Sequence, residues 1–117
     1  CLPFVGFRPD VVHANDWQTG LVPVYVSEVG RQRAGWGHLR TVFTIHNIAY
    51  QGMFGRGVLT LTGLPGYLFN HAQLEFHGHF NFLKAGVVYA DAVNTVSPTY
   101  AREIQTPEFG CGLEGLL

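Results

Sequence analysis

Three short runs of β-branched and apolar residues punctuate the chain: Val11-Val12-His13-Ala14, Thr41-Val42-Phe43-Thr44-Ile45 and Ala92-Val93-Asn94-Thr95-Val96. Alternation within them is weak, which suits parallel strands covered on both faces better than one-sided antiparallel strands. Between them the period lengthens. Leu21 to Arg33 places apolar residues at 21, 22, 25, 26 and 29 and ends in Arg31, Arg33 and Gly35. That spacing predicts an amphipathic helix with cations at its C-terminus and Pro23 in its first turn or at a kink. Phe80 to Ala90 predicts a second helix that feeds straight into the third strand. Ser97 and Pro98 supply an N-cap and an N1 proline for a third helix, Thr99 to Gln105, which Thr106-Pro107 stops. The order is strand, helix, strand, long excursion, helix, strand, helix. It implies right-handed βαβ units, hence an α/β fold on a parallel, doubly wound sheet of which three strands form only a portion.

Composition narrows the picture. Hydrophobic residues make up 47% of the chain against 13% charged, which suits a packed core and not a disordered segment. A net charge of -1 argues against a nucleic-acid surface or a polybasic membrane patch. No apolar run approaches the ~20 residues that a membrane helix needs. Two cysteines, Cys1 and Cys111, make no disulfide framework, and unpaired thiols in a reducing compartment are expected. The single methionine is Met53 and the chain opens on Cys1. With so few strands, this predicts an internal piece of a longer protein, residues 1–117 forming one unit without a boundary inside it.

In open α/β sheets, ligands bind beyond the carboxyl ends of the strands. There the sequence reads Asn15-Asp16-Trp17-Gln18, His46-Asn47-Ile48-Ala49-Tyr50-Gln51-Gly52 and Ser97-Pro98-Thr99-Tyr100. Planar amides, a carboxylate and aromatic rings are what hydroxyl-rich ligands such as sugars require. Asp16 reads either as the N-cap of the helix that follows or as an acceptor for ligand hydroxyls. His46 reads either as a satisfied core histidine or as a donor at the end of a central strand. Trp17 and Tyr50 read first as packing residues. His77-Gly78-His79 has no further partners at metal-ligand spacing, so no metal is expected. Gly110 to Gly115 spells GxGxxG, but a helix rather than a strand precedes it, so no nucleotide cofactor is expected either. Lys84 is the one lysine, so a phosphate-rich ligand is not held mainly by this segment.

Taken together, these segments resemble bacterial and plant glycogen and starch synthases. Pro9 to Leu21 resembles that family's HxxDWH(A/T)GL stretch, and Val42 to Gly52 its TxHNxAYQG. Phe82-Leu83-Lys84-Ala85-Gly86 with Tyr89-Ala90-Asp91 resembles FLKxGxxxAD, Val96 to Ile104 resembles VSPTYAxEI, and Phe109 to Gly115 resembles xxYGxGLxGxL. Five linked motifs in the family's order cover nearly the whole chain.

The resemblance implies the N-terminal, acceptor-side half of a GT-B glycosyltransferase, a fold of two Rossmann-like domains facing across a cleft. It implies a retaining transfer of glucose from ADP-glucose to the non-reducing end of an α-1,4-glucan, with no metal or other cofactor, in a bacterial cytoplasm or a plastid. Carried over by position, His46 matches the histidine lining the transferred glucose, and Asp16 the aspartate near its hydroxyls. Asn47 and Tyr50 fall in the same loop and are expected to line the cleft. Gln18 stands where the family often has histidine, which speaks against an essential role for that side chain. The family's N-terminal lysine-glycine loop and its donor-binding C-terminal domain have no counterpart here, so the segment alone is expected to be inactive. Two other readings stay open: a different GT-B nucleotide-sugar transferase, and a catalytically silent α-glucan-binding module.

Overall fold

The computed structural model describes residues 2–117, with side chains from Phe4 onward; Cys1 lies outside the described residues. Along the chain run β1 (Val11–Asn15), α1 (Leu21–Tyr25), β2 (Arg40–Ile45), β3 (Met53–Phe54), α2 (Val58–Thr62), β4 (Glu75–Phe76), β5 (His79–Asn81), α3 (Phe82–Tyr89), β6 (Ala92–Thr95) and α4 (Pro98–Glu103). Strands β1, β2 and β6 form a parallel sheet in that spatial order, with Ala14 beside Phe43 and Thr44 beside Asn94. The three runs of β-branched residues are therefore the three parallel strands, each within a residue of its predicted ends.

The central strand carries the core. Phe43 and Ile45 are wholly buried and pack with Leu83 and Val87 of α3. A Cβ at Gly86 would lie 2.5 Å from the Phe43 ring, so the missing side chain is what lets α3 settle on β2. The other face of the sheet is polar. His13 Nε2 lies 2.6 Å from Thr44 Oγ1, and the Thr44 hydroxyl donates onward to Asn94 Oδ1. His13, Asn15 and Asn94 are exposed there, so the expectation of two covered apolar faces holds for one face only among the described residues. The hydrophobicity of Val11, Val12 and Ala14 hid these polar positions.

The helix expected from Leu21 to Arg33 is shorter. Regular α-helix ends at Tyr25 and a wider π turn, Val26–Gly30, completes it. Pro23 sits in the first turn, where its missing N–H costs nothing. Gly30 disfavours continuation, and Arg31 leaves the helix axis to donate Nε to the Leu39 carbonyl at 2.9 Å and to pair with Asp91.

The long excursion holds a second sheet that the sequence pattern does not announce. It is antiparallel, in the order β3-β5-β4. His77 and Gly78, both with positive φ (50° and 79°), form the two-residue turn between β4 and β5. Phe80 and Asn81, expected to begin a helix, pair in β5 instead, and α3 starts only after Asn81, whose side chain accepts the Lys84 N–H at 2.9 Å. Leu59, Leu64, Leu68, Leu74 and Phe80 give the excursion its own core, closed by Val24 of α1 and Ala85 of α3. Lys84 is buried, not a surface charge. Its ammonium donates to the carbonyls of His71 and Glu75, the latter at 2.6 Å, and so ties the excursion to α3. Burial lowers the Lys84 pKa, with Glu75 pulling the other way. As expected, Ser97 caps α4, accepting the Tyr100 N–H at 3.3 Å with Pro98 at the first turn. No helix among the described residues is long and apolar enough to cross a membrane.

Candidate functional site

The three segments that follow β1, β2 and β6 meet at the carboxyl edge of the parallel sheet, and their polar groups are largely spent on one another. The loop after β2 is the centre. Asp16 Oδ1 accepts the His46 N–H at 2.7 Å and, at 3.4 Å, the Asn47 N–H. Tyr100 Oη, from α4, accepts the Ile48 N–H at 2.9 Å. Asn47 Oδ1 accepts the Ala49 N–H at 3.0 Å, and the Asn47 carbonyl accepts the Tyr50 N–H at 3.3 Å. Every amide from His46 to Tyr50 thus has an acceptor. Ile48 anchors the loop in the core, while His46, Asn47, Ala49 and Tyr50 face outward.

Asp16 is held in an unusual conformation, φ 57° and ψ 176°, a region populated almost only by glycine. Its own N–H donates to the Thr44 carbonyl at 3.0 Å, continuing the pairing of β1 with β2, and its side chain makes no cap bond to the turn after it. The capping alternative is therefore overturned: the carboxylate serves the next strand's loop. Its second oxygen has no hydrogen bond among the described residues.

His46 is exposed, which excludes the core-histidine alternative. Its Nε2 lies 3.2 Å from Asn15 Oδ1, an acceptor, so the proton belongs on Nε2 and Nδ1 is left as an acceptor. Tyr50 is 67% exposed and so is not a packing residue. Trp17 is: it is half-buried, its ring centroid lies 5.8 Å from that of Phe54 and 6.3 Å from that of Phe82, and a Cβ at Gly52 would stand 2.3 Å from its ring.

Two clefts border this loop. One of about 290 Å³ is lined by Asp16, Trp17, Gln18, Asn47 and Tyr50. The other, about 460 Å³, shares Trp17 and Tyr50 and adds Gln51, Phe54, Phe76 and Cys111. The smaller sets Asp16, Gln18 and Asn47 beside Trp17 and Tyr50, and the larger carries four aromatic side chains, together the mixed lining that polyhydroxylated rings require. Cys111 is exposed.

The structure brings Asp16, His46, Asn47 and Tyr50 into one place. It adds three residues that sequence reasoning did not single out. Asn15 holds the His46 ring, Tyr100 holds the loop backbone, and buried Gln51 donates to the Cys111 carbonyl at 3.0 Å while accepting from Asn81 at 2.6 Å. All three lie in the strand-end segments, so their positions, though not their partners, were visible.

Comparison with known proteins shows the family of the chain. The family described as the starch synthase catalytic domain matches residues 1–117. A glycogen synthase of Myxococcus xanthus is 61% identical over 112 residues, 95% of this chain and 23% of the relative. One of an Anaeromyxobacter species is 56% identical over 113 residues, 97% of this chain and 24% of the relative. The catalytic domain of starch synthase IV from Arabidopsis thaliana, solved bound to ADP and acarbose, superposes with a TM-score of 0.88 at 33% identity, covering 97% of this chain and 24% of that one. The chain thus spans about a quarter of the length of these relatives. With the parallel sheet, its strand-end loops and the match along the whole sequence in agreement, the chain belongs to the starch synthase catalytic domain family.

Proposed function

We propose that residues 1–117 are an internal segment of the N-terminal, acceptor-side domain of a retaining glucosyltransferase. The full enzyme moves glucose from ADP-glucose to the non-reducing end of an α-1,4-glucan, as a glycogen or starch synthase does. The observation that carries this reading is the convergence of three strand-end loops on one exposed histidine whose backbone and ring are both fixed by neighbouring side chains. The bacterial glycogen synthases and the plant starch synthase that it resembles, the latter bound to ADP and acarbose, support the substrate class. In this reading the enzyme works in a bacterial cytoplasm or a plastid, a choice in keeping with its bacterial and plant relatives.

In this reading, His46 orients the transferred glucose. Nδ1 accepts from a sugar hydroxyl, and the preorganised loop stabilises the ring as positive charge develops at its anomeric carbon. His46 takes no proton from the acceptor. The free Oδ2 of Asp16 accepts from a second hydroxyl, while Asn47 and Tyr50 line the cleft. In this reading the phosphates of the donor are met by residues beyond this segment, whose one lysine is spent on backbone carbonyls. No metal or cofactor enters the scheme.

The test is steady-state transfer from ADP-glucose to glycogen. In the full-length enzyme, His46→Ala lowers kcat by about a hundredfold or more, the scale of a lost preorganised group, with little change in melting temperature. The isolated 117 residues show no transfer. An unchanged kcat in the variant, or turnover by the segment alone, overturns the reading.

A further inference from the structure

We infer that Tyr100 is a positioning residue for the reaction, acting through the His46 loop and without touching the sugar. The inference rests on the function proposed above. The amides of that loop are held from two sides. Asp16 reaches it from the end of β1 and fixes the His46 N–H; Tyr100 reaches it from α4, beyond β6, and fixes the Ile48 N–H at 2.9 Å. The histidine is therefore held between two clamps that come from the two strands flanking β2. Only the Asp16 clamp can be suspected from a site motif. The second depends on a hydroxyl 52 residues away in sequence.

The geometry separates the two parts of the tyrosine. Its ring packs against the core around Phe43, Ile45 and Leu83, and so belongs to folding. Its hydroxyl does one thing among the described residues: it accepts from Ile48. Ile48 is buried, so without the hydroxyl its N–H loses its partner at a place where water enters poorly. The backbone at Ile48 must then shift to find another acceptor. His46 stands two residues before it, and an ångström of displacement at a reacting centre is enough to cost about a hundredfold in rate.

The experiment uses Tyr100→Phe in the full-length enzyme, which keeps the ring and deletes the oxygen. Four quantities are measured beside wild type and His46→Ala: kcat, KM for both substrates, melting temperature, and hydrogen exchange of the peptide covering residues 46–52. The expected result is a kcat lower by about tenfold, between no effect and the hundredfold limit above. Both KM values stay within about twofold, the melting temperature stays within a few degrees, and exchange over 46–52 is faster. Loosened exchange with normal kcat overturns the inference, because the clamp then has no consequence for chemistry. A lowered kcat with unchanged exchange also overturns it, because the hydroxyl then acts on substrate directly. A loss explained by a lower folded fraction makes the residue purely structural. A normal kcat in His46→Ala defeats the underlying functional reading instead, whatever Tyr100→Phe does.

Discussion

Asp16 and His46 are 30 residues apart in sequence, yet the carboxylate of one accepts the backbone N–H of the other at 2.7 Å. The bond joins the end of β1 to the end of β2, and it is made by a residue in a backbone conformation that costs about 1–3 kcal/mol for anything but glycine. Strain of that size persists where surrounding structure or function demands it.

Substitution at Asp16 should therefore invert a familiar order. Alanine ordinarily stabilises relative to glycine by about 0.4–1 kcal/mol through the unfolded state. Here Asp16→Ala keeps the strained Cβ and loses the charge-assisted bond, worth about 1.5–3 kcal/mol. Asp16→Gly loses the bond and sheds the strain. Urea unfolding should find the glycine variant the more stable of the two and within about 2 kcal/mol of wild type, the two terms being of similar size. Both variants of the full-length enzyme should lose kcat, because neither holds the His46 amide. A more stable alanine variant shows that the backbone at Asp16 is not strained.

Lys84 gives a prediction about the excursion. Its ammonium is buried between the carbonyls of His71 and Glu75. Lys84→Met keeps most of the volume and leaves both carbonyls without that donor, at a cost of about 1–3 kcal/mol for each buried group left unpaired. The loss should appear as a lower urea midpoint, with proteolytic nicking concentrated between residues 55 and 78. Unchanged stability means that the carbonyls find water and that the lysine does not tie the excursion down.

The pH dependence has a definite sign at Asp91. Partial burial raises its pKa, but the Thr41 N–H at 2.7 Å, the Thr41 hydroxyl at 3.0 Å and the Arg31 guanidinium together outweigh that and bring it below the ordinary value. A carboxylate whose folded pKa is depressed contributes stability that is full above its unfolded pKa of about 3.9 and fades as pH falls through the folded value. The difference in unfolding free energy between wild type and Asp91→Asn should thus be constant from pH 7 to about pH 5 and shrink below about pH 4. A difference that grows on acidification contradicts the assignment.

The parts of this architecture legible in sequence are those set by local pattern. Val11–Asn15, Arg40–Ile45 and Ala92–Thr95 carry β-branched runs, Ser97-Pro98 announces its own helix, and polar residues just past each strand mark the site. What stayed hidden has a common cause, which is partnership over long separations or structure too short to have a period. Two-residue strands such as Met53–Phe54 show no alternation to read. Nothing near Tyr100 signals that its hydroxyl serves Ile48, and Asp16 followed by a helical turn looks like a cap although its acceptor faces β2. The family motifs draw attention to His46 and Asp16 but are silent on how the loop from His46 to Tyr50 is held.

Gly86 sets two effects of opposite sign against each other. It lies inside α3, where alanine is favoured over glycine by about 0.8–1.0 kcal/mol. A Cβ there, however, would stand 2.5, 2.6 and 2.8 Å from three atoms of the Phe43 ring, which is itself wholly buried in the middle of the sheet. That ring cannot swing away, so α3 must lift, and overpacking of this kind costs about 1–3 kcal/mol. Overpacking should win. Gly86→Ala is expected to lower unfolding stability by up to about 2 kcal/mol net, whereas in the background Phe43→Leu, which vacates the space, the same substitution should be neutral or stabilising. The double-mutant cycle by urea unfolding checks both halves. Additive losses in the two backgrounds place the helix elsewhere than on Phe43.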